Sequence, residues 1–104
     1  MSTGKLWAQA RSDCIAMGRK LFEPRSSADL ALGNDISRNI LRNPFWIGVV
    51  QQNGDWFYDS NGDPYINYWG SGRPIGRTYF PVTLLTNNGV WDDPGDSFRA
   101  SVCE

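Results

Sequence analysis

The chain has 104 residues, with ten basic and eleven acidic side chains, no histidine and a formal net charge of −1. That length suits a single hydrophobic core, and so even a charge balance gives no field to gather nucleic acid or an anionic membrane. No run of eighteen apolar residues occurs, so no membrane-spanning helix is expected, and residues 1–5 lack the apolar stretch of a signal peptide.

In chain order, Trp7, Ala10, Cys14 and Met17 fall at spacings of three and four, one face of a helix. The pattern predicts a helix over 5–17, capped by Ser2 or Thr3 and ended by Gly18. Residues 20–23 are short and extended, and Pro24 stops them. Ser26, with Asp29 three residues on, starts a second helix. Leu30, Gly33, Ile36 and Ile40 fall near one face, Gly33 marks a place where it can break, and Arg42-Asn43-Pro44 ends it. Phe45-Trp46-Ile47-Gly48-Val49-Val50 has no polar residue. It reads as a strand buried on both faces, closed by the hairpin pair Asn53-Gly54. Short strands and turns follow: a strand over 55–58, a turn over 59–64, an extended piece over 65–69 and a glycine-containing loop over 70–76. A strand over 79–86, a turn at Asn87-Asn88-Gly89, a partner strand over 90–92, a turn over 93–96 and a last strand over 98–103 complete the chain. Two helices followed by short antiparallel strands make an α+β chain, expected to form one domain over 1–104.

Five Trp, four Tyr and five Phe form a high aromatic load. The two cysteines, Cys14 and Cys103, lie near opposite ends, and the residues alone allow either a bridge or two buried thiols. Without histidine, the usual Ser-His and Cys-His nucleophile systems and histidine metal sites are absent. No phosphate-cradling glycine motif and no nucleophile-elbow motif occurs. The carboxylate pairs sit on turns or strand ends with no apolar pocket evident to shift them, so an enzyme is not expected.

Five pieces of the chain resemble the C-type lectin-like domain. They are Trp7-x-x-Ala10-x-x-x-Cys14-x-x-x-Gly18-x-x-Leu21, Trp46-Ile47-Gly48-Val49, Trp69-x-x-Gly72-x-Pro74, Gly89-Val90-Trp91-Asp92-Asp93 and Val102-Cys103-Glu104. They run in the family's order and cover nearly the whole chain, as a minimal or truncated form of it. The resemblance implies two helices flanking small twisted antiparallel sheets, a long loop, and a Cys14–Cys103 disulfide. It also implies a secreted or extracellular setting. The family's second disulfide is missing, since its positions fall near Pro81 and near Gly95 or Asp96.

Sugar-binding members hold calcium through a Glu-Pro-Asn or Gln-Pro-Asp triplet, a later glutamate and a Trp-Asn-Asp strand. The corresponding positions read Arg73-Pro74-Ile75, a place near Tyr79, and Trp91-Asp92-Asp93. A cation and an isoleucine replace two oxygen ligands, so the resemblance implies no cofactor and disfavours calcium. Asp92, Asp93 and Asp96 are left as weak metal candidates. Arg73 is expected to face Asp92 and Asp93 in the metal's stead. The run Asp59-x-Asn61-Gly62-Asp63 reads as a turn rather than a calcium loop. The rings without a structural role by resemblance are Tyr58, Tyr65, Tyr68, Tyr79 and Phe80. Tyrosine and arginine suit recognition surfaces. The expected ligand face is therefore Tyr68, Arg73, Ile75, Arg77, Tyr79, Phe80, Asp92 and Asp93. Its partner is a glycan or a protein, which leaves a lectin, calcium-free or with calcium held by a non-standard site, or a protein-binding or structural module (receptor, venom-type, antifreeze-like or biomineral).

Overall fold

A computed structural model describes residues 4–66, 68–75 and 81–104 of the protein. Helix α1, Trp7–Ala16, starts two residues later than the spacing predicts. The reason is that Lys5 is drawn into an antiparallel bridge with Arg99. Its capping group is Gln9, whose Oε1 accepts from the Leu6 N–H at 3.2 Å. Gly18 ends it at φ 71°. The Arg19 N–H donates to the Cys14 carbonyl and the Gly18 N–H to the Ile15 carbonyl, the double closure of a Schellman turn. Met17, expected on the inner face, is instead 61% exposed, because it sits at the C-cap where the helical period has already ended.

Helix α2, Ser27–Asp35, is capped by Ser26, whose Oγ accepts from the Asp29 N–H. It does not break at Gly33. A Cβ there would collide with Leu85 and lie 3.2 Å from a Phe22 ring atom, so glycine lets the helix lie against the sheet. The helix continues as a π-helical turn, Ile36–Ile40, closed by the Leu41 N–H on the Ile36 carbonyl.

Strand β1, Phe45–Gln52, is the centre. It pairs antiparallel with β2, Asp55–Tyr58, through a turn in which Asn53 and Gly54 both have positive φ, as the Asn-Gly pair predicts. On its other edge it pairs with β3, Val82–Thr86, which pairs in turn with β4, Gly89–Asp93. The last strand, β5, Ala100–Ser101, joins the start of β1 in parallel, not antiparallel, and is shorter than expected.

Successive side chains of a strand point to opposite faces, and β1 feeds two cores. Phe45, Ile47 and Val49 pack with Phe22, Trp56, Tyr58, Tyr65, Leu85 and Val90. Trp46 packs with Ala10, Cys14, Leu21, Val82 and Leu84 on the other side. The indole N–H groups of the half-buried Trp7 and the buried Trp46 donate to the carbonyls of Ile47 and Lys5, so neither ring leaves an orphaned donor. Cys14 and Cys103 form a disulfide with Cα atoms 5.5 Å apart, tying α1 to the segment after β5.

Candidate functional site

The segment from Trp69 to Ile75 lies along the outer edge of β4. Trp69 bridges Val90 in parallel, and the Gly70 N–H donates to the Val90 carbonyl at 2.9 Å. Glycine is required at 70 by this approach. A Cβ there would sit 2.6 Å from the Asn88 carbonyl oxygen and 3.0 Å from the Trp91 ring. Because the first obstacle is backbone, Gly70→Ala is expected to cost about 1–3 kcal/mol. Urea unfolding checks this, and an unchanged midpoint would mean that the loop does not need this contact. Trp69 itself is held by edge-to-face contacts with Trp56 and Tyr65.

The loop turns at Gly72, with the Arg73 N–H donating to the Gly70 carbonyl, and passes through a cis Arg73–Pro74 peptide. Arg73 and Ile75 then converge on Asp92 of β4. The Asp92 side chain has no exposed surface. Its two oxygens accept from the Ile75 N–H at 3.1 and 3.0 Å, and one of them from Arg73 Nη1 at 3.3 Å. The Arg73 guanidinium, one-fifth exposed, also lies over the Trp91 ring at 4.3 Å. A carboxylate removed from water requires such partners, and here one loop supplies them from backbone and side chain together.

Asp93 does not join this group. As the neighbouring residue of a strand it points the other way, accepting from the Gly95 N–H and, at 3.5 Å, pairing with Arg99. Arg73 therefore faces one aspartate, not two. Asp96 is exposed on the following turn. Among the described residues, no three histidine, cysteine, aspartate or glutamate side chains come together as a metal-binding group. Tyr68 lies apart from Arg73, in a groove with Arg25, Tyr58, Asp63, Pro64 and Ile66. Tyr58 and Tyr65, counted above among rings free for recognition, are core residues. Their hydroxyls donate to the carbonyls of Pro24 and Tyr68. Burial raises the pKa of both phenols, and for Tyr58 the Arg25 charge pulls the other way. Arg77, Tyr79 and Phe80 lie outside the described residues.

Sequence reading overlooks a second ionic cluster. Glu23 is 1% exposed at its side chain, yet accepts from the Ser60 N–H and hydroxyl and from Arg25 Nη2, which also stacks on the Tyr58 ring. Arg25 reaches Asp63 as well, while Asp59 pairs with Arg11 at 2.7 Å, so the acidic turn after β2 is held by arginines. Gly48 makes room for it, since a Cβ there would lie 3.0 Å from Glu23 Cγ and Oε2. The one signal in the sequence was that glycine inside an otherwise fully apolar strand.

The chain is 33% identical to a tetranectin-like protein of Carcharhinus perezii over 111 residues, which cover 96% of the chain and 64% of that protein. It thus spans just under two thirds of that relative's length. No family model matches the sequence. Among solved structures, the fold is similar to the mouse scavenger receptor C-type lectin carbohydrate-recognition domain. The TM-score is 0.84 at 18% identity, over 99% of this chain and 82% of that one. It is also similar to a calcium-independent type II antifreeze protein, with a TM-score of 0.81 at 22% identity over 98% and 79% of the two chains. Both structural likenesses extend over nearly the whole of this chain, and so over its two helices and its curled sheet. By fold the chain is of the C-type lectin-like type, and its sequence is related to that of a tetranectin-like protein.

Proposed function

We propose that the domain is an extracellular recognition module that takes a glycan on the face formed by residues 69–75 and the end of β4, without a bridging calcium. The observation that carries this reading is the pairing of Arg73 and the Ile75 N–H with Asp92. Calcium takes six to eight oxygen ligands. Here the buried carboxylate is already matched by a cation and a backbone donor, and its neighbour Asp93 is turned toward Arg99. That donor set does not suit the metal. Arg73, whose guanidinium lies over Trp91 and whose side chain is one-fifth exposed, and Ile75, half exposed beside it, offer a planar donor and an apolar contact. The disulfide supports an oxidising, extracellular setting. Arg77, Tyr79 and Phe80 follow the proposed face in sequence, whereas Tyr68 belongs to the groove beside Arg25.

A glycan array probed with calcium and with chelator tests the reading. Binding that persists in chelator is the expected result. Loss on chelation overturns the metal-free site, and silence under both conditions points to a protein ligand. Melting curves give a second check. A calcium site with a Kd of about 0.1 mM would, at about 10 mM calcium, add roughly 2.7 kcal/mol, which corresponds to a rise of about 10 °C. The expected shift is under about 1 °C.

A further inference from the structure

Beyond the end of α2 the chain carries two arginines, Arg38 and Arg42, set close together at a conformational or electrostatic cost. Arg42 follows the cap of the π-helical turn and has φ 56°, the left-handed conformation that glycine takes without strain. Arg38, four residues earlier, is a like charge on the same stretch, an arrangement that works against a helix. Arg38 alone is accounted for as a cation in the last turn, where it complements the helix dipole. Arg42 lies beyond the turn, and its backbone would be better served by glycine. Among the described residues, neither arginine is in an ion pair.

Both arginines line one cavity of about 260 Å³, together with Ser37, Asn43, Pro44 and Asn87. The Arg38 guanidinium is held across it by the Asn87 carbonyl at 3.4 Å. The Ser37 hydroxyl fixes the floor by donating to the Asn43 carbonyl. The nearby acid on α2, Asp35, is occupied by the Asn39 side chain at 2.7 Å. The volume falls below the roughly 300–1,000 Å³ of pockets for drug-sized ligands, so the cavity fits one charged group and not a long chain.

We propose that Arg38 and Arg42 form a second site, separate from the Asp92 face, that binds the oxyanion of a sulfated sugar. Two arginines lining one small cavity supply the planar donor forks that match the several terminal oxygens of such a group. An anion there relieves the repulsion between the arginines and rewards the strained backbone. The same chemistry would accept a phosphate monoester. The disulfide, which belongs to an oxidising compartment, favours the sulfate ester as its source. The site stands on its own observations and does not require the Asp92 face to bind anything.

The test is an amide-resolved NMR titration of the whole chain with a sulfated chondroitin disaccharide, its unsulfated counterpart, inorganic sulfate and inorganic phosphate. The sulfated disaccharide is expected to shift amides within 37–43 and at Asn87, and the unsulfated one to leave them in place. Arg42→Gly is expected to weaken binding roughly tenfold or more while the melting temperature stays equal or rises, because glycine suits the turn. Arg38→Gln, an exposed helical change, is expected to weaken binding by a similar factor. Equal shifts with both disaccharides overturn the proposal, as does unchanged binding in both variants. A response to phosphate with none to the sulfated sugar overturns the assignment of the ligand.

Discussion

Removing the Cys14–Cys103 bridge, as C14A/C103A or by reduction, is expected to lower stability by about 4–5 kcal/mol. The cysteines are 89 positions apart, so the bridge closes a loop of almost the whole chain, and the entropy it removes from the unfolded state grows with that loop. Small domains hold only about 5–15 kcal/mol in total. The expected result is therefore a fall in melting temperature of about 20 °C, or failure to fold at 37 °C. Guanidinium unfolding with and without reductant measures it. Two local supports will survive reduction: the antiparallel bridge between Leu21 and Cys103, and the burial of Cys14 against Trp46 and Leu84. A loss below about 1 kcal/mol would mean that these, and not the bridge, hold the ends.

The second large effect is expected at Asp92. Asp92→Ala removes the only carboxylate that faces Arg73 among the described residues, and leaves the Ile75 N–H without its acceptor. Breaking a buried pair from one side costs about 3–5 kcal/mol, mostly because the survivor stays buried and unpaired. Arg73 is one-fifth exposed and can turn toward water, which places the expectation at the lower end. Asp92→Asn keeps one acceptor for Ile75 and should cost less. The loop over 70–75 should become the first site of proteolysis in Asp92→Ala, since Gly70 and Ile75 are its two anchors on β4. If urea unfolding and limited digestion leave the variant like the parent, the loop is held by Trp69 and its aromatic neighbours instead.

Elements whose signal is local could be read from the sequence. The β1 strand announced itself by apolarity, its hairpin by Asn53-Gly54 and the end of α1 by Gly18, because each depends on a few adjacent residues. The pairing of Arg73 with Asp92 was legible only through the family resemblance. Its limitation to one aspartate follows from strand alternation, which was available in Trp91-Asp92-Asp93 but outweighed by the count of charges. What escaped depends on distant partners. Glu23 has Arg25 two residues away, but it is buried because Ser60 also meets it there and Gly48 makes room, and no window around Glu23 contains those two. Tyr58 and Tyr65 looked like surface rings until the sheet closed over them. The parallel pairing of β5 and the π-helical turn after α2 likewise follow from where the chain must go next rather than from composition.

The disulfide also decides how the domain responds to being pulled. Tension between residue 4 and residue 104 passes through the bridge, so only residues 4–13 and 104 can be drawn out. At roughly 3.5 Å per residue that slack amounts to about 40 Å, against some hundreds of ångström for the unbridged chain. The Lys5–Arg99 bridge and the first turns of α1 would yield first. Everything between the two cysteines, including β4 and the loop fastened to Asp92, lies outside the path of the force. A module so built can be stretched between its ends while the loop fastened to Asp92, the proposed ligand face, keeps its shape.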